Sequence, residues 1–300
     1  MKSPATVSNV VCGFDCLGFA LAEPFDEMTL RKIDERDVRI THHDDFGLPT
    51  DPRQNVAGIA LLAMMRHSNL DHGFELEITK HIMPGSGIGS SAASVCGAVV
   101  AANCLLGEPF TRTQLIDFAI EGEMVASGAR HADNLAPCML GGFTLVRTTE
   151  PLDIVSLEYP PLYATILHPQ IEIKTSEARA ILPDHVSLSD AVHQWSNIAA
   201  LVAALAGGDY ELLGRSLEDR IIEPARKSLI PKFDDVKSAA LAAGALGGGI
   251  SGSGPSIFML SRGGELASRV EAAMAAVYST TGIEFKTYTS LVAAEGVHII

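Results

Sequence analysis

Pro84-Gly85-Ser86-Gly87-Ile88-Gly89-Ser90-Ser91-Ala92-Ala93-Ser94 is the stretch whose reading decides the fold. Three glycines alternate over five positions, two hydroxyls follow, and small apolar residues run on to Leu106. Before it, Phe74-Glu75-Leu76-Glu77-Ile78-Thr79 alternates apolar and polar residues, as a half-buried strand does. After it, Ala92 to Leu105 predicts a buried helix. The order strand, glycine-rich loop, helix lets backbone N–H groups and a helix N-terminus converge on an anion. Glycine permits close approach and positive φ. Ser90 and Ser91 place hydroxyls where they can cap the helix or reach a metal. The same pattern also fits a tight turn before a packed helix. No Lys follows the last glycine, so this is not a Walker A loop, and the spacing is wrong for a dinucleotide fingerprint.

A length of 300 residues fits one large domain or two ordinary ones, and 47% hydrophobic residues suffice for a sizeable core. The net charge of -14 argues against a nucleic-acid partner, which a basic face would mark. Local backbone amides and a few arginines still allow an anionic ligand. No apolar run is long and pure enough to span a bilayer, and the N-terminus does not read as a signal peptide. The five cysteines are odd in number with no C-x-x-C pair, so they are expected to be reduced, in a cytoplasmic protein without a membrane partner.

Residues 3–15 pack glycine, asparagine and aspartate between apolar residues, unlike a frayed terminus. Met28–Ile33 and Val38–Thr41 predict strands, and His42–Asp51 an exposed loop. Asn55–His67 and Thr111–Ser127 predict helices, with apolar faces led by Ile59 and Met64 and by Leu115 and Phe118. Gly128–Pro137 reads as irregular, and Gly141–Arg147 and Leu152–Leu157 as strands. Pro151, Pro160 and Pro161 cluster, which places a boundary near Glu150–Pro161, with domains at 1–150 and 151–300. Beyond it, Leu162–Leu167 and Glu172–Lys174 predict extended runs, and Ser187–Ala206, Tyr210–Arg220 and Phe233–Ala243 helices. Gly247–Gly254 reads as a second glycine-rich turn, Ser256–Leu260 as a strand and Glu265–Tyr278 as a helix. Phe285–Ser290 and Gly296–Ile300 close the chain. Mixing without strict alternation favours an α+β fold.

Four further polar clusters sit in segments of chemical interest: Ser8-Asn9 with Asp15; Glu121 with Glu123; His131-Ala132-Asp133-Asn134; and Arg179 with Arg226. Each also has a plain structural reading, as cap, satisfied loop residue or surface charge. Glu121 and Glu123 point about 200° apart on a helix, so only one can face a site. Together with the loop they form an inventory for phosphoryl transfer. Amides cradle phosphates, a hydroxyl and a carboxylate hold Mg²⁺, a polar residue orients the attacking hydroxyl, and arginines hold a carboxylate or developing charge.

At this point the chain resembles the GHMP small-molecule kinases. Pro84–Ala93 looks like that family's phosphate-binding motif, Pro4-Ala-Thr-Val-Ser-Asn9 to Gly13-Phe-Asp15 like its first motif, and Gly247–Pro255 like its third. Glu123 with Ala126-Ser127-Gly128, His131–Asn134, Lys174–Arg179 with Leu182-Pro183, and Glu223-Pro224-Ala225-Arg226 are similar to the branch acting on L-homoserine. The resemblance implies a ribosomal-S5-like N-terminal domain, a ferredoxin-like C-terminal domain, and ATP-dependent phosphorylation of the L-homoserine side-chain hydroxyl, on the route to threonine. It implies ATP on the loop from Pro84 to Ser94, with Asn55 on the adenine side, and Mg²⁺ on Ser91 and Glu123. Asn9, Asp15, His131, Asn134, Arg179 and Arg226 would surround homoserine. Asp15, Asn134 and Arg179 would act in catalysis, with Asp15 on the reacting hydroxyl. It also suggests a homodimer.

Two departures stand out. The first motif begins almost at Met1, so the strand that normally precedes it is expected to be reduced or missing. Ile88 stands where Leu is usual, a near-isosteric change. A kinase for mevalonate or a sugar is a second reading, but the first motif has no Lys and no sugar-type signature is present. A non-catalytic binding protein is a third, and it should have lost Glu123, Asp15 or an arginine.

Overall fold

The first motif is itself a strand. The structure, a computed structural model describing residues 1–128 and 130–300 but not the side chains of 125–127, makes Lys2–Ser8 strand β1. Its residues are almost all buried and pair antiparallel with Leu17–Ile33, the long strand β2. Ahead of the motif the strand is reduced to Lys2 and Ser3, and Pro4-Ala-Thr-Val-Ser8 of the motif makes up the rest of β1. Val38–His42 (β3) lies parallel to Gly73–Thr79 (β4), and β4 lies antiparallel to β2. Phe143–Thr149 (β5) and Leu152–Leu157 (β6) complete a six-stranded sheet in the order β3-β4-β2-β5-β6, with β1 on β2.

Four helices cover this sheet: Val56–His67 (α1), Ser90–Leu105 (α2), Arg112–Ser127 (α3) and Leu135–Leu140 (α4). α2 is buried nearly all round, as its Ala, Val and Gly content dictates. A Cβ at Gly97 would stand 2.6 Å from the Met28 sulfur, so glycine there lets α2 lie against β2. Thr111 caps α3 through a capping box with Gln114.

The rest of the chain builds a second sheet. Tyr163–Pro169 (β7), Gly247–Ile250 (β8), Ile257–Ser261 (β9) and Phe285–Leu291 (β10) run β10-β7-β9-β8, all antiparallel. Its helices are Thr175–Ala180 (α5), Leu188–Gly207 (α6), Tyr210–Ser216 (α7), Ile222–Arg226 (α8), Phe233–Ala242 (α9) and Gly264–Tyr278 (α10). Val236, Met259, Val270, Met274 and Tyr278 form a core between α9, α10 and this sheet. A further core joins the halves: Phe19 lies 4.8 Å from Phe143 and 5.7 Å from Phe258, ring to ring.

Several boundaries differ from expectation. Glu150 and Pro151 form the β5–β6 turn, where Thr149 pairs with Leu152, so the change of sheet falls at residues 158–162 rather than 150/151. The helix expected to reach Arg220 stops at Ser216. Asp219 then accepts the N–H groups of Ile221, Ile222 and Glu223 and starts α8. Gly247–Ile250, expected as turn, is strand β8, because its glycines lie flat against β9: a Cβ at Gly248 would stand 2.0 Å from the Phe258 carbonyl oxygen. Residues 172–174 are not a strand. Beyond β10 the chain returns to the first sheet, where Leu21 bridges Val292 and Lys2 bridges His298.

Candidate active site

β4 delivers the chain to the glycine-rich loop, and α2 carries it away. Gly85, Gly87 and Gly89 have φ of +73°, +81° and +71°, in the left-handed region. A Cβ at Gly89 would meet the Thr6 hydroxyl at 2.1 Å, and one at Gly87 the Gly254 carbonyl oxygen at 2.6 Å. The second glycine-rich segment braces the first. The Ser251 hydroxyl donates to the Gly87 carbonyl at 2.7 Å, and the Ser256 hydroxyl to that of Ser86 at 2.6 Å.

The N-terminus of α2 has no side-chain cap. Ser90, well placed to cap it, instead donates its hydroxyl to the Ile82 carbonyl at 2.8 Å. The first N–H groups of the helix are therefore left for an anion. Beneath them lies Lys80, buried and ion-paired with buried Asp26. Its ammonium also donates to the Ser90 carbonyl at 3.0 Å and the Ser94 hydroxyl at 2.9 Å. Asp26 accepts the N–H groups of His81 and Ile82 through its other oxygen. All three Lys80 protons are spent on holding the loop and the helix start together.

This end opens into a cavity of about 360 Å³. Pro84 to Gly87, Gly89 to Ser91, and Ser94 line it. Ile88, Ala92 and Ala93, expected on the ATP, are instead buried in the core, as apolar side chains beside alternating glycines must be. Glu123 of α3 also lines the cavity, as Ser91 does. Burial pushes the Glu123 carboxyl upward; the Ser91 hydroxyl and the Lys80 charge pull it back, and Asp133 adds to the rise. Glu121 faces outward, 3.4 Å from Arg66, so of the two glutamates Glu123 alone lines the cavity.

Asn55 does not line the cavity. Its Oδ1 accepts from the Ala57 and Gly58 N–H groups as the cap of α1, and its Nδ2 donates to the Pro49 carbonyl at 2.7 Å. The expected adenine contact by its side chain is thereby withdrawn, although its neighbour Val56, with Leu48, does line the cavity.

The other end is built by the loop after β1. Asn9, Val10, Val11 and Asp15 all have positive φ, which is rare for β-branched valines and marks a held, strained turn. Asn9 fixes it: Oδ1 accepts the Asp15 N–H at 3.0 Å, and Nδ2 donates to the Gly252 carbonyl at 2.7 Å. Arg226, 3% exposed, donates to the same carbonyl and to that of Ala178, both at 3.0 Å. Arg179 of α5 donates to both Asp15 oxygens at 3.0 and 3.1 Å and meets His131 Nε2 at 3.1 Å. A guanidinium only donates, so Nε2 is the acceptor and the His131 proton sits on Nδ1, 3.8 Å from Asp15. Both arginines stand over the Phe14 ring, at 5.4 and 5.0 Å.

Asn134 lines the cavity with its amide tied to β1: Nδ2 donates to Ser8 at 2.9 Å, and Oδ1 accepts from Thr6 at 2.8 Å. Its neighbour Asp133, given no role from sequence, is 5% exposed and also lines the cavity. Burial, then the Asp15 charge, raise its carboxyl, while His131 and a Ser8 hydrogen bond lower it. One cavity thus joins an uncapped helix start, a Ser–Glu oxygen pair, two arginines and two further carboxylates.

Residues 55–142 match the model of the GHMP kinases N terminal domain, and residues 200–280 that of the GHMP kinases C terminal. The chain is 46% identical to a homoserine kinase of Chloroherpeton thalassium, over 99% of this chain and 98% of that protein. It is 48% identical to one of Chlorobium phaeobacteroides, over 92% of this chain and 90% of that protein. The crystal structure of homoserine kinase from Cytophaga hutchinsonii superposes with a TM-score of 0.96 at 50% identity, covering 100% of this chain and 96% of that one. A mevalonate kinase from L. major shares the fold at a TM-score of 0.74, with 16% identity, 96% of this chain and 94% of that chain covered. The chain belongs to the GHMP kinases, and within them to the homoserine kinase family. As a GHMP kinase it uses ATP.

Proposed function

We propose that this chain transfers the γ-phosphoryl group of ATP to the side-chain hydroxyl of L-homoserine, giving O-phospho-L-homoserine for threonine biosynthesis. The observation that carries the reading is the single cavity that places the Asp15–Arg179–His131 cluster opposite the uncapped start of α2. The phosphates lie on that helix start and on the loop from Pro84 to Ser91.

The donor set fits Mg²⁺: a hydroxyl and a carboxylate, Ser91 and Glu123, lining the same cavity beside the loop. Among the described residues no cluster of three or more His, Cys, Asp or Glu could hold a metal. Phosphate oxygens and water would therefore complete the coordination. When bound, the ion neutralises charge on the phosphates.

The amino-acid end takes a zwitterion. Asp133 receives the ammonium group. Arg226 and Arg179 receive the carboxylate through nitrogens not spent on Gly252, Ala178 or Asp15. Asp15 orients the attacking hydroxyl. Arg179 holds both of its oxygens in place, and a loose transition state needs little base strength. Asn9 and Asn134 hold the walls rather than the reacting atoms.

We place the protein in the cytoplasm as a homodimer acting on a small molecule, with neither nucleic acid nor membrane as partner. The charge of -14 supports the first exclusion. Among the described residues no helix is long and apolar enough to cross a membrane. Purified protein with ATP and Mg²⁺ should release ADP on addition of L-homoserine, and far less with L-threonine, mevalonate or galactose. Absence of homoserine-dependent ADP overturns the substrate.

A further inference from the structure

One buried polar cluster beside the cavity has no part in the chemistry above. His42 ends β3, and Asp44 follows it in an otherwise exposed segment. The two side chains are only 7% and 6% exposed, although His43, Asp45, Phe46 and Gly47 around them are exposed.

Asn55 fixes the direction of the contacts. Its oxygen accepts the N–H groups of Ala57 and Gly58, so its nitrogen is a donor, and that nitrogen meets His42 Nε2 at 3.2 Å. Nε2 is therefore the unprotonated ring nitrogen, and the proton sits on Nδ1. Nδ1 faces Asp44 Oδ2 at 3.4 Å, a close polar contact that falls short of hydrogen-bond geometry. Asp44 in turn accepts the Phe46 N–H at 3.1 Å through Oδ1. The segment 43–50 is thus pinned at its start through His42 and Asp44, and near its end where Asn55 donates to the Pro49 carbonyl.

Between the two pins Leu48 lines the cavity, together with Val56. Val56 belongs to the phosphate side: a Cβ on Gly122 would stand 2.4 Å from its carbonyl oxygen, and Gly122 adjoins Glu123. Of the other apolar lining residues, Phe14 belongs to the side of Arg179, and Ile173 packs into the core of the second sheet. Leu48 and Val56 are then the apolar wall available to whatever is attached beyond the phosphates.

We propose that His42 is a positioning residue for the nucleotide: by bridging Asp44 and Asn55 it fixes the 43–50 segment so that Leu48 stands with Val56 against the base of ATP. The inference rests on the kinase reading above. Pinning the segment before the ligand arrives removes an ordering cost from binding. None of the three polar residues touches the reacting atoms.

Calorimetric titration of the intact protein with ATP, followed by steady-state kinetics, tests it. His42→Ala and Asp44→Ala should each weaken ATP binding about tenfold. The double variant should lose no more than the worse single one, because both act through one contact chain. His42→Gln keeps an acceptor toward Asn55 and a donor toward Asp44, and should recover most of the affinity. KM for ATP should rise while KM for L-homoserine and kcat stay within about twofold. Leu48→Ala leaves both pins in place and should weaken ATP alone. Wild-type ATP affinity in His42→Ala or Leu48→Ala overturns the proposal. An equal loss for ATP and L-homoserine, with a lowered melting temperature and no recovery in His42→Gln, assigns His42 a purely structural role and also overturns it. A wild-type protein that binds no ATP overturns the kinase reading, and this one with it.

Discussion

Arg179 sets a single nitrogen, Nη2, between the two carboxylate oxygens of Asp15, at 3.0 and 3.1 Å, across 164 residues of chain. The first residue comes from α5 in the second half of the molecule, the second from the strained loop after β1. The amino-acid end of the cavity therefore exists only when both halves are docked.

Arg179→Ala should raise KM for L-homoserine about tenfold or more and also lower kcat, because Asp15 loses the group that holds it. Arg179→Lys should recover little, since an ammonium cannot reproduce the guanidinium geometry. Steady-state kinetics with varied L-homoserine read both constants. Wild-type values for both would remove Arg179 from the site.

Glu123→Gln should cut kcat about a hundredfold or more and raise the Mg²⁺ concentration needed for half activity. Glu121→Gln, at an outward-facing residue beside Arg66, should change neither. Chelation of divalent cations should abolish wild-type turnover. A Mg²⁺ titration superimposable on wild type for Glu123→Gln would reject the metal assignment.

Lys80→Met strands the buried Asp26 carboxylate and should cost about 3–5 kcal/mol of stability in urea unfolding. Lys80→Met with Asp26→Leu should regain part of that loss. The regain is incomplete because Asp26 also accepts the His81 and Ile82 N–H groups. A double variant no more stable than Lys80→Met alone would show that the stranded charge is not the cause.

His168, 2% exposed on β7, has its pKa pushed down from 6.5 to about 4 by burial and by Lys286 opposite it. Below pH 6.5 the unfolded chain takes up a proton that the folded chain refuses until about pH 4, so stability falls as pH drops through that window. The fully developed loss is on the order of 3 kcal/mol. His168→Gln should flatten the stability profile between those limits relative to wild type. Parallel profiles for the two proteins would contradict this.

Much of the fold is legible in the residues. The alternation of Phe74–Thr79, the alternating glycines and the Ala-Val run after them correspond to β4, the positive-φ turns and buried α2. The capping signal at Thr111 and the 3.6-residue period after it mark α3. What is not legible depends on partners far away in sequence. Lys80 reads as an ordinary lysine after a strand, and only its pairing with Asp26, 54 residues earlier, makes it a buried strut. Asp133 sits inside a polar cluster that does draw notice, but only folding removes it from water. Asn55 has the residue type and place of a helix cap, and the cap claims its side chain. α4, α5 and α8 have only five or six residues each, too few for a hydrophobic period to show.

The bridge between Lys2 and His298 runs both ways: Lys2 N–H donates to the His298 carbonyl at 2.8 Å, and His298 N–H to that of Lys2 at 3.1 Å. The backbone therefore makes a nearly closed circuit. The same closure makes residues 296–298 a clasp on β1, so removing them would loosen the strand that carries Ser8 and leads into the loop of Asn9 and Asp15.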